Sequence, residues 1–277
     1  MPGTLYIVGT PIGNLGDFSP RAQETLRAVD FIAAEDTRVT AKILNHFEIR
    51  KPLVSYHEHN RKEKGPDILE RIMAGESCAL VTDAGMPAIS DPGVDLVRLC
   101  REHNVPVSTV PGPTAVATAL AFSGMEVSRF SFEGFLTVNK PNRRKHLEEI
   151  RSERKTMVFY EAPHKLAATL HDLYDTLGDR RIAVIKELTK IHEQCELTTL
   201  AEIAGKYDGV KLKGEYVLIV EAKTEEELAA ERPQTDPAAL ARAYMEHGMR
   251  LNDAAKRAAQ ETGAKKSDIY RILTENS

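Results

Sequence analysis

The sequence predicts an α/β fold of two lobes followed by a small helical module. Short apolar runs alternate with stretches of helical periodicity, and this alternation is typical of βαβ units around a parallel sheet. The chain of 277 residues is too long for most single hydrophobic cores. An acidic stretch then separates the last apolar run from a helical tail. The predicted divisions are 1–123 for the first lobe, 124–223 for the second lobe, 224–236 for an acidic linker and 237–277 for the tail.

Five apolar runs predict the strands of the first lobe, at 5–8, 31–34, 53–55, 78–82 and 107–110. Ser19 and Asp91 each stand before a proline, and such a pair predicts a capping side chain followed by the first helical residue. The loops that leave the strands therefore lead into helix N-termini. Free amides there can hold a carboxylate or a carbonyl oxygen.

A second α/β unit begins near Phe130. Its predicted strands are 130–135, 156–160, 182–186 and 216–220, and its predicted helices are 143–150 and 165–177. In the tail, two short amphipathic segments are joined by a turn that contains Gly263, which is the pattern of a helix-turn-helix.

The composition describes an ordinary globular protein without a membrane span. The net charge of −4 provides no overall attraction to nucleic acid, so any RNA contact must come from local patches. No segment approaches the roughly 20 apolar residues of a membrane helix, and the first six residues lack the basic start of a signal peptide. Cys78, Cys100 and Cys195 are odd in number and widely separated, which disfavours disulfides and zinc. We therefore expect a cytoplasmic protein.

Three glycine-containing loops follow strands of the first lobe, at 9–15, 83–93 and 110–115. Loops at the carboxyl ends of parallel strands line ligand crevices. In the second loop, Asp83 can accept a hydrogen bond from a ligand, and Gly85 allows a ligand to approach the backbone. The third loop leads into a helix of small residues, which leaves room for a planar group such as adenine.

Several charged clusters allow either a functional or a structural interpretation. The second strand ends in three charged residues, Glu35, Asp36 and Arg38. They are either a solvated face or a functional anionic group beside the forked hydrogen-bond donors of the Arg38 guanidinium. His57 and His59 lack further ligands at a matching spacing, so we expect no metal. A basic cluster near the lobe junction is a candidate phosphate-binding patch or a solvated helix face. Its members are Lys140, Arg143, Arg144, Lys145, Arg151, Arg154 and Lys155.

Seven ordered motifs carry a resemblance to a known family. They are 9–14 (GTPIGN), 34–38 (AEDTR), 83–93 (DAGMPAISDPG), 111–113 (PGP), 133–135 (EGF), 187–190 (ELTK) and 213–215 (KGE). Together they resemble the ribosomal RNA small subunit methyltransferase I family of the tetrapyrrole methylase superfamily, over essentially the whole chain. The resemblance implies a homodimeric enzyme that binds S-adenosylmethionine in a cleft between its lobes. It also implies methylation of a cytidine ribose 2′-hydroxyl in 16S RNA, either naked or in the assembled small subunit.

The resemblance assigns residues to the cofactor site. They are Pro11, Asp83, Ala84, Gly85, Met86, Thr114, Ala115, Tyr160 and Gly214. The sequence departs from the family pattern at two positions. Met86 stands where threonine is frequent, which alters contacts with the methionine moiety, and Lys186 replaces a frequent arginine, so the bidentate fork is missing there.

The candidates for orienting the hydroxyl or accepting its proton are Glu35, Asp36, Glu187 and Lys190. A lysine serves as a base only if its pKa is strongly lowered. The candidates for RNA binding are Arg38, Arg143, Arg144, Lys145, Lys265 and Lys266.

Two other functions remain open from the sequence. One is a small-molecule methyltransferase that acts on a tetrapyrrole, which would not need the basic tail. The other is a nucleic-acid-binding regulator whose lobes sense a nucleotide. The tail itself either grips RNA or only covers an apolar face.

Overall fold

The computed structural model describes residues 1–223 and 236–275. The chain divides into two compact units, residues 1–222 and 223–277. The acidic linker predicted at 224–236 lies outside the described residues except for Asp236. The α/β fold class is confirmed, because both lobes of the first unit contain a sheet with helices.

The first lobe is built on a five-stranded parallel sheet with the order β3-β2-β4-β1-β5. The strands are β1 Leu5–Val8, β2 Phe31–Ala34, β3 Leu53–Ser55, β4 Cys78–Val81 and β5 Val107–Val110. The helices are α1 Pro20–Ala28, α2 Thr37–His46, α3 Arg61–Met73, α4 Val94–Glu102 and α5 Ala115–Ser123. Helices α3 and α4 pack on one face of the sheet and α1 and α2 on the other. Every residue of β2 and β4 is therefore buried, as their uninterrupted apolar sequences require.

One of the two predicted helix caps is confirmed and the other is wrong. Ser19 accepts a hydrogen bond from the Ala22 amide at 3.1 Å, and Pro20 is the first helical residue. Helix α4, however, starts at Val94 with Gly93 as its cap, not at Pro92. The Asp91 side chain interacts with Thr82 instead. Asp91 therefore does not cap α4, and its side chain can contact other groups in the loop between β4 and α4.

The second lobe contains a mixed sheet with the order β6-β7-β10-β8-β9. Its strands are β6 Phe130–Phe135, β7 Thr156–Glu161, β8 Arg181–Lys186, β9 Gln194–Thr199 and β10 Tyr216–Val220, and its helices are α6 Lys140–Ile150, α7 Leu166–Leu177 and α8 Leu200–Ile203. Only β6 and β7 are parallel. Strand β9 has no predicted counterpart, because this edge strand has a polar sequence without an apolar run. Helix α6 begins three residues before the prediction, where Asn139 caps it and Pro141 occupies its first turn.

Helix α5 joins the two lobes. Ala119 and Leu120 of this helix belong to a buried cluster with Val158, Ile185 and Ile219 of the second sheet. Helices α6, α7 and α8 cover the opposite face of that sheet. The N-terminus of α5 is thereby fixed beside the second lobe.

The second unit contains helices α9 Pro237–Glu246, α10 Leu251–Thr262 and α11 Lys266–Glu275. A small alanine-rich core holds them together, with Ala241, Ala255 and Ala258 fully buried. Gly263 ends α10 at a φ of +75°, and α11 follows after a short turn. The predicted pair of segments is present, preceded by a third helix. In the two described ranges, every helix is too short or too polar to cross a membrane.

Candidate active site

Three loops meet at the carboxyl edge of the first sheet. Thr10 and Gly85 exchange backbone hydrogen bonds of 2.9 and 3.2 Å, and the Thr10 hydroxyl donates to the Thr82 carbonyl oxygen at 3.0 Å. The third loop packs against the first, since a Cβ atom on Gly112 would lie 2.8 Å from Gly9 Cα. The three loops therefore form one rigid floor made largely of backbone.

This floor borders a cavity of about 650 Å³ between the two lobes. Such a volume suits a cofactor-sized ligand. From the first lobe, the cavity is lined by Ile12, Ala84, Gly85, Met86, Ile89, Ser90, Asp91, Thr114, Ala115, Val116 and Ala117. From the second lobe, it is lined by Phe130, Phe132, Phe135, Tyr160, Glu161, Ala162, Pro163, Leu188, Glu215, Tyr216 and Val217.

Most of the expected cofactor residues surround this cavity. Ala84, Gly85, Met86, Thr114, Ala115 and Tyr160 line it. Pro11, Asp83 and Gly214 do not line it, but each is the sequence neighbour of a residue that does. Asp83 accepts a hydrogen bond from the Asp36 amide at 3.0 Å, so its side chain connects two loops.

The N-terminus of α5 opens into the cavity. Thr114 caps the helix through the Ala117 amide at 3.4 Å, and the Tyr160 hydroxyl accepts a hydrogen bond from the Val116 amide at 3.1 Å. Burial raises the pKa of Tyr160 to about 12, so the hydroxyl keeps its proton and can donate it to a ligand. The positive end of the helix dipole favours an anionic group at this point.

An acidic cluster, formed by Glu35, Asp36, Asp83 and Asp91, lies beside the floor. The Thr82 hydroxyl donates to Glu35 Oε2 at 2.6 Å. Burial and the charges of Glu35 and Asp83 raise the pKa of Asp91 to about 6. A positively charged ligand group would relieve this repulsion. Asp91 lines the cavity, a role that the sequence did not reveal because the position before a proline indicated a helix cap.

Asp36 is a poor candidate for accepting a proton. Its carboxylate binds Arg38 through Nε at 3.0 Å and Nη2 at 2.6 Å, and Oδ1 also caps α2. The hydrogen bond from Arg38 holds the pKa of Asp36 far below its usual range. Asp36 therefore remains ionised and orients Arg38, whose exposed guanidinium can still meet a phosphate.

Lys190 is corrected as a proton acceptor, and Glu187 is paired with it. Lys190 Nζ donates to Glu187 Oε1 and Glu215 Oε2, both at 2.9 Å. Burial alone would lower the pKa of Lys190, but the two hydrogen bonds outweigh it and raise the pKa, and the same contact lowers the pKa of Glu187. Both groups stay charged. Gly214 makes this arrangement possible, since a Cβ atom there would lie 2.6 Å from Glu187 Oε1.

One member of the basic cluster, Arg143 on α6, is not available to RNA. Arg143 donates to Asp172 at 2.6 Å and to the Thr169 hydroxyl at 2.8 Å, and only 15% of its side chain is exposed. Its task is to hold α6 against α7, which corrects our expectation for this residue. Arg144 and Lys145 are exposed, as are Lys265 and Lys266 of the second unit.

Comparison with known proteins finds one matching family and relatives that share one name. Residues 4–204 match the family of Tetrapyrrole (Corrin/Porphyrin) Methylases. The chain is 44% identical over 277 residues to ribosomal RNA small subunit methyltransferase I of Synechocystis sp., covering 99% of this chain and 98% of that protein. The protein of the same name from Thermotoga maritima is 44% identical and is covered over 99% of its length by only 80% of this chain.

The fold also has solved counterparts. The uroporphyrin-III-C-methyltransferase from Thermus thermophilus superposes with a TM-score of 0.57 at 18% identity, over 79% of this chain and 94% of that one. At this identity, the likeness concerns the fold alone.

Proposed function

The chain belongs to the tetrapyrrole (corrin/porphyrin) methylase family, and on that basis we propose that it methylates the ribose 2′-oxygen of a cytidine in 16S RNA of the small ribosomal subunit. Membership confirms the resemblance found in the sequence and makes the chain a methyltransferase. The observation that carries the proposal is the near full-length similarity to proteins named ribosomal RNA small subunit methyltransferase I. The interlobe cavity is the proposed place of reaction.

The cavity fits S-adenosylmethionine as methyl donor. Bound there, the donor supplies an electrophilic methyl group on a positively charged sulfur. The acidic cluster suits the cationic sulfonium and ammonium groups, and the N-terminus of α5 suits the carboxylate. The proposed donor site keeps Pro11, Asp83, Ala84, Gly85, Met86, Thr114, Ala115, Tyr160 and Gly214, and it gains Asp91.

The protein's main catalytic contribution is positioning. The rigid floor and the second lobe hold two reactants in one enclosed cavity, which alone can supply much of the acceleration. Of the four proton-acceptor candidates, Glu35 is the one that forms no ion pair within residues 1–223. We assign the hydroxyl proton to Glu35.

RNA binding is assigned to exposed basic side chains, namely Arg38, Arg144, Lys145, Lys265 and Lys266. The homodimer implied by the resemblance belongs to the same proposal. A ribosomal substrate would also place the enzyme in the cytoplasm.

The tail provides a separate prediction. A variant that ends at residue 232 should bind S-adenosylmethionine as the full chain does. It should bind RNA more weakly in a salt-dependent way, with the largest deficit at low salt, because each lost phosphate contact lowers the salt slope by about one. The physical reason is that the three tail helices have their own core. About a fifth of this chain also has no counterpart in the Thermotoga maritima protein, although that protein has the same name as the full-length relative from Synechocystis sp.. The measurements are calorimetry with the donor and RNA titrations at several salt concentrations.

A double variant, Lys265→Ala with Lys266→Ala, serves as control because it removes charge and leaves the tail core intact. It should reproduce part of the weaker RNA binding. Aggregation or loss of donor binding in the truncated chain, with unchanged RNA affinity, would show that the tail only covers an apolar face.

The proposal itself is tested with labelled S-adenosylmethionine. The protein is incubated separately with small ribosomal subunits, with naked small-subunit RNA and with a tetrapyrrole precursor. Label should enter one of the two RNA substrates. Label on the tetrapyrrole alone would support the small-molecule alternative, and RNA binding without any transfer would support the regulator.

A further inference from the structure

Two exposed phenylalanines form the rim of the cavity. Phe130 is 46% exposed and Phe135 is 57% exposed, and both side chains belong to the cavity wall at the two ends of β6. Large aromatic side chains gain by burial, so their joint exposure at the mouth of a cavity marks a binding surface.

The ring of Phe135 is supported from behind. Its centroid lies 5.5 Å from that of Tyr160 at an interplanar angle of 66°, and Phe132 contacts the same tyrosine at 4.9 Å. The hydrogen bond from the Val116 amide fixes the Tyr160 hydroxyl. The aromatic surface is thus held in place before a ligand arrives.

A basic helix begins five residues after Phe135. Lys140 starts α6, and Lys140, Arg144 and Arg151 share one helical face because their spacings of 4 and 11 residues are close to whole turns. All three are exposed. Over 11 residues the stripe extends roughly 16 Å, which suits the backbone of a polynucleotide better than a compact small molecule.

We propose that Phe135 stacks on the base of the acceptor nucleotide while the start of α6 holds the neighbouring RNA phosphates. This assignment rests on the proposed function, and it gives the nucleotide its own subsite on the second lobe. Most of the proposed donor site lies on the wall of the first lobe, where small residues and glycines leave room for the adenine, and Tyr160 and Gly214 complete it from the second lobe. Unstacked bases in RNA are commonly bound on aromatic side chains in this way.

The test compares Phe135→Ala with Phe135→Trp, and uses Val138→Ala as matched control. Val138 is 70% exposed on the same segment but does not line the cavity. We measure kcat and KM for methylation of small-subunit RNA, the Kd for a labelled single-stranded RNA oligomer, and the Kd for S-adenosylmethionine. Phe135→Ala should raise KM and the RNA Kd about tenfold or more while donor affinity stays within about twofold, because one stacked base is lost. Phe135→Trp should restore both values, and Val138→Ala should change neither.

Three results would overturn the inference. They are an unchanged KM and RNA Kd in Phe135→Ala, a matching loss of donor affinity that places the ring in the donor site, or a change in solution mass that places it between copies of the chain. If the unmodified protein transfers no methyl group to RNA, the proposed function fails. The oligomer Kd still decides whether Phe135 binds a base.

Discussion

Replacing Asp91 by asparagine should weaken S-adenosylmethionine binding by about 30-fold to 150-fold at neutral pH, because a charged hydrogen-bonding partner is worth about 2–3 kcal/mol. Asp91 is the aspartate of the acidic cluster that lines the cavity. An asparagine keeps the shape of the side chain but provides no negative charge for the cationic donor. Calorimetry on the folded variant measures the change.

The same residue predicts a pH dependence. The pKa of Asp91 is raised to about 6 in the free protein, with burial as the main cause. Above this pH the carboxylate is ionised and can pair with the cationic donor, and below it the group takes up a proton and loses its charge. Donor affinity should therefore fall as the pH drops through 6, and the fall should be much smaller in Asp91→Asn.

Asp17→Asn is the matched control, because Asp17 is an exposed aspartate outside the cavity wall. It should bind the donor like the unmodified protein. Unchanged affinity and an unchanged pH profile in Asp91→Asn would remove Asp91 from the donor site.

Replacing Gly85 by valine should abolish measurable donor binding. The backbone of Gly85 has a φ of +88°, a region that a β-branched residue adopts only with strain, and an added Cβ atom would lie 3.3 Å from Ile12 and 3.4 Å from the Pro113 carbonyl. The strain of about 1–3 kcal/mol falls on the residue that pairs with Thr10 and lines the cavity. Donor titration and thermal unfolding measure the two effects.

Gly209→Val separates strain from position. Gly209 also has a positive φ, +68°, but nothing lies within 4 Å of its added Cβ atom and it does not line the cavity. This variant should lose some stability and keep its donor affinity. Donor binding by Gly85→Val at the unmodified level would mean that the floor of the cavity is not the donor site.

The periodicity of the sequence was sufficient to place the first sheet. β1 to β4 are buried or half-buried throughout, and β5 ends in the buried Val110, so the sequence alone assigns the loops after β1, β4 and β5 to one edge of the sheet. Strand β9 escaped because an edge strand needs few apolar residues. The predicted start of α6 lies three residues after its actual start at Lys140, because the charged residues at this end of the helix lack an apolar stripe.

Site residues were harder to interpret, since their roles depend on neighbours distant in sequence. Arg143 could be paired with Asp172 only once α6 and α7 were side by side, and Lys190 with Glu215 only once β8 and β10 were paired. The position of Asp91 before a proline fits both a helix cap and a residue of the loop that lines the cavity. In the fold, Asp91 lies close to Thr82 at the end of β4, and Gly93 caps α4 in its place.

The central claim is that the cavity directs a methyl group to a cytidine 2′-oxygen. The most direct measurement digests small-subunit RNA to nucleosides after incubation with the protein and S-adenosylmethionine, and identifies the methylated nucleoside by mass spectrometry. We predict 2′-O-methylcytidine from a single position, and a greatly reduced amount with Asp91→Asn at low donor concentration. A methyl group on a base, on another nucleoside or on no RNA component at all would contradict the claim.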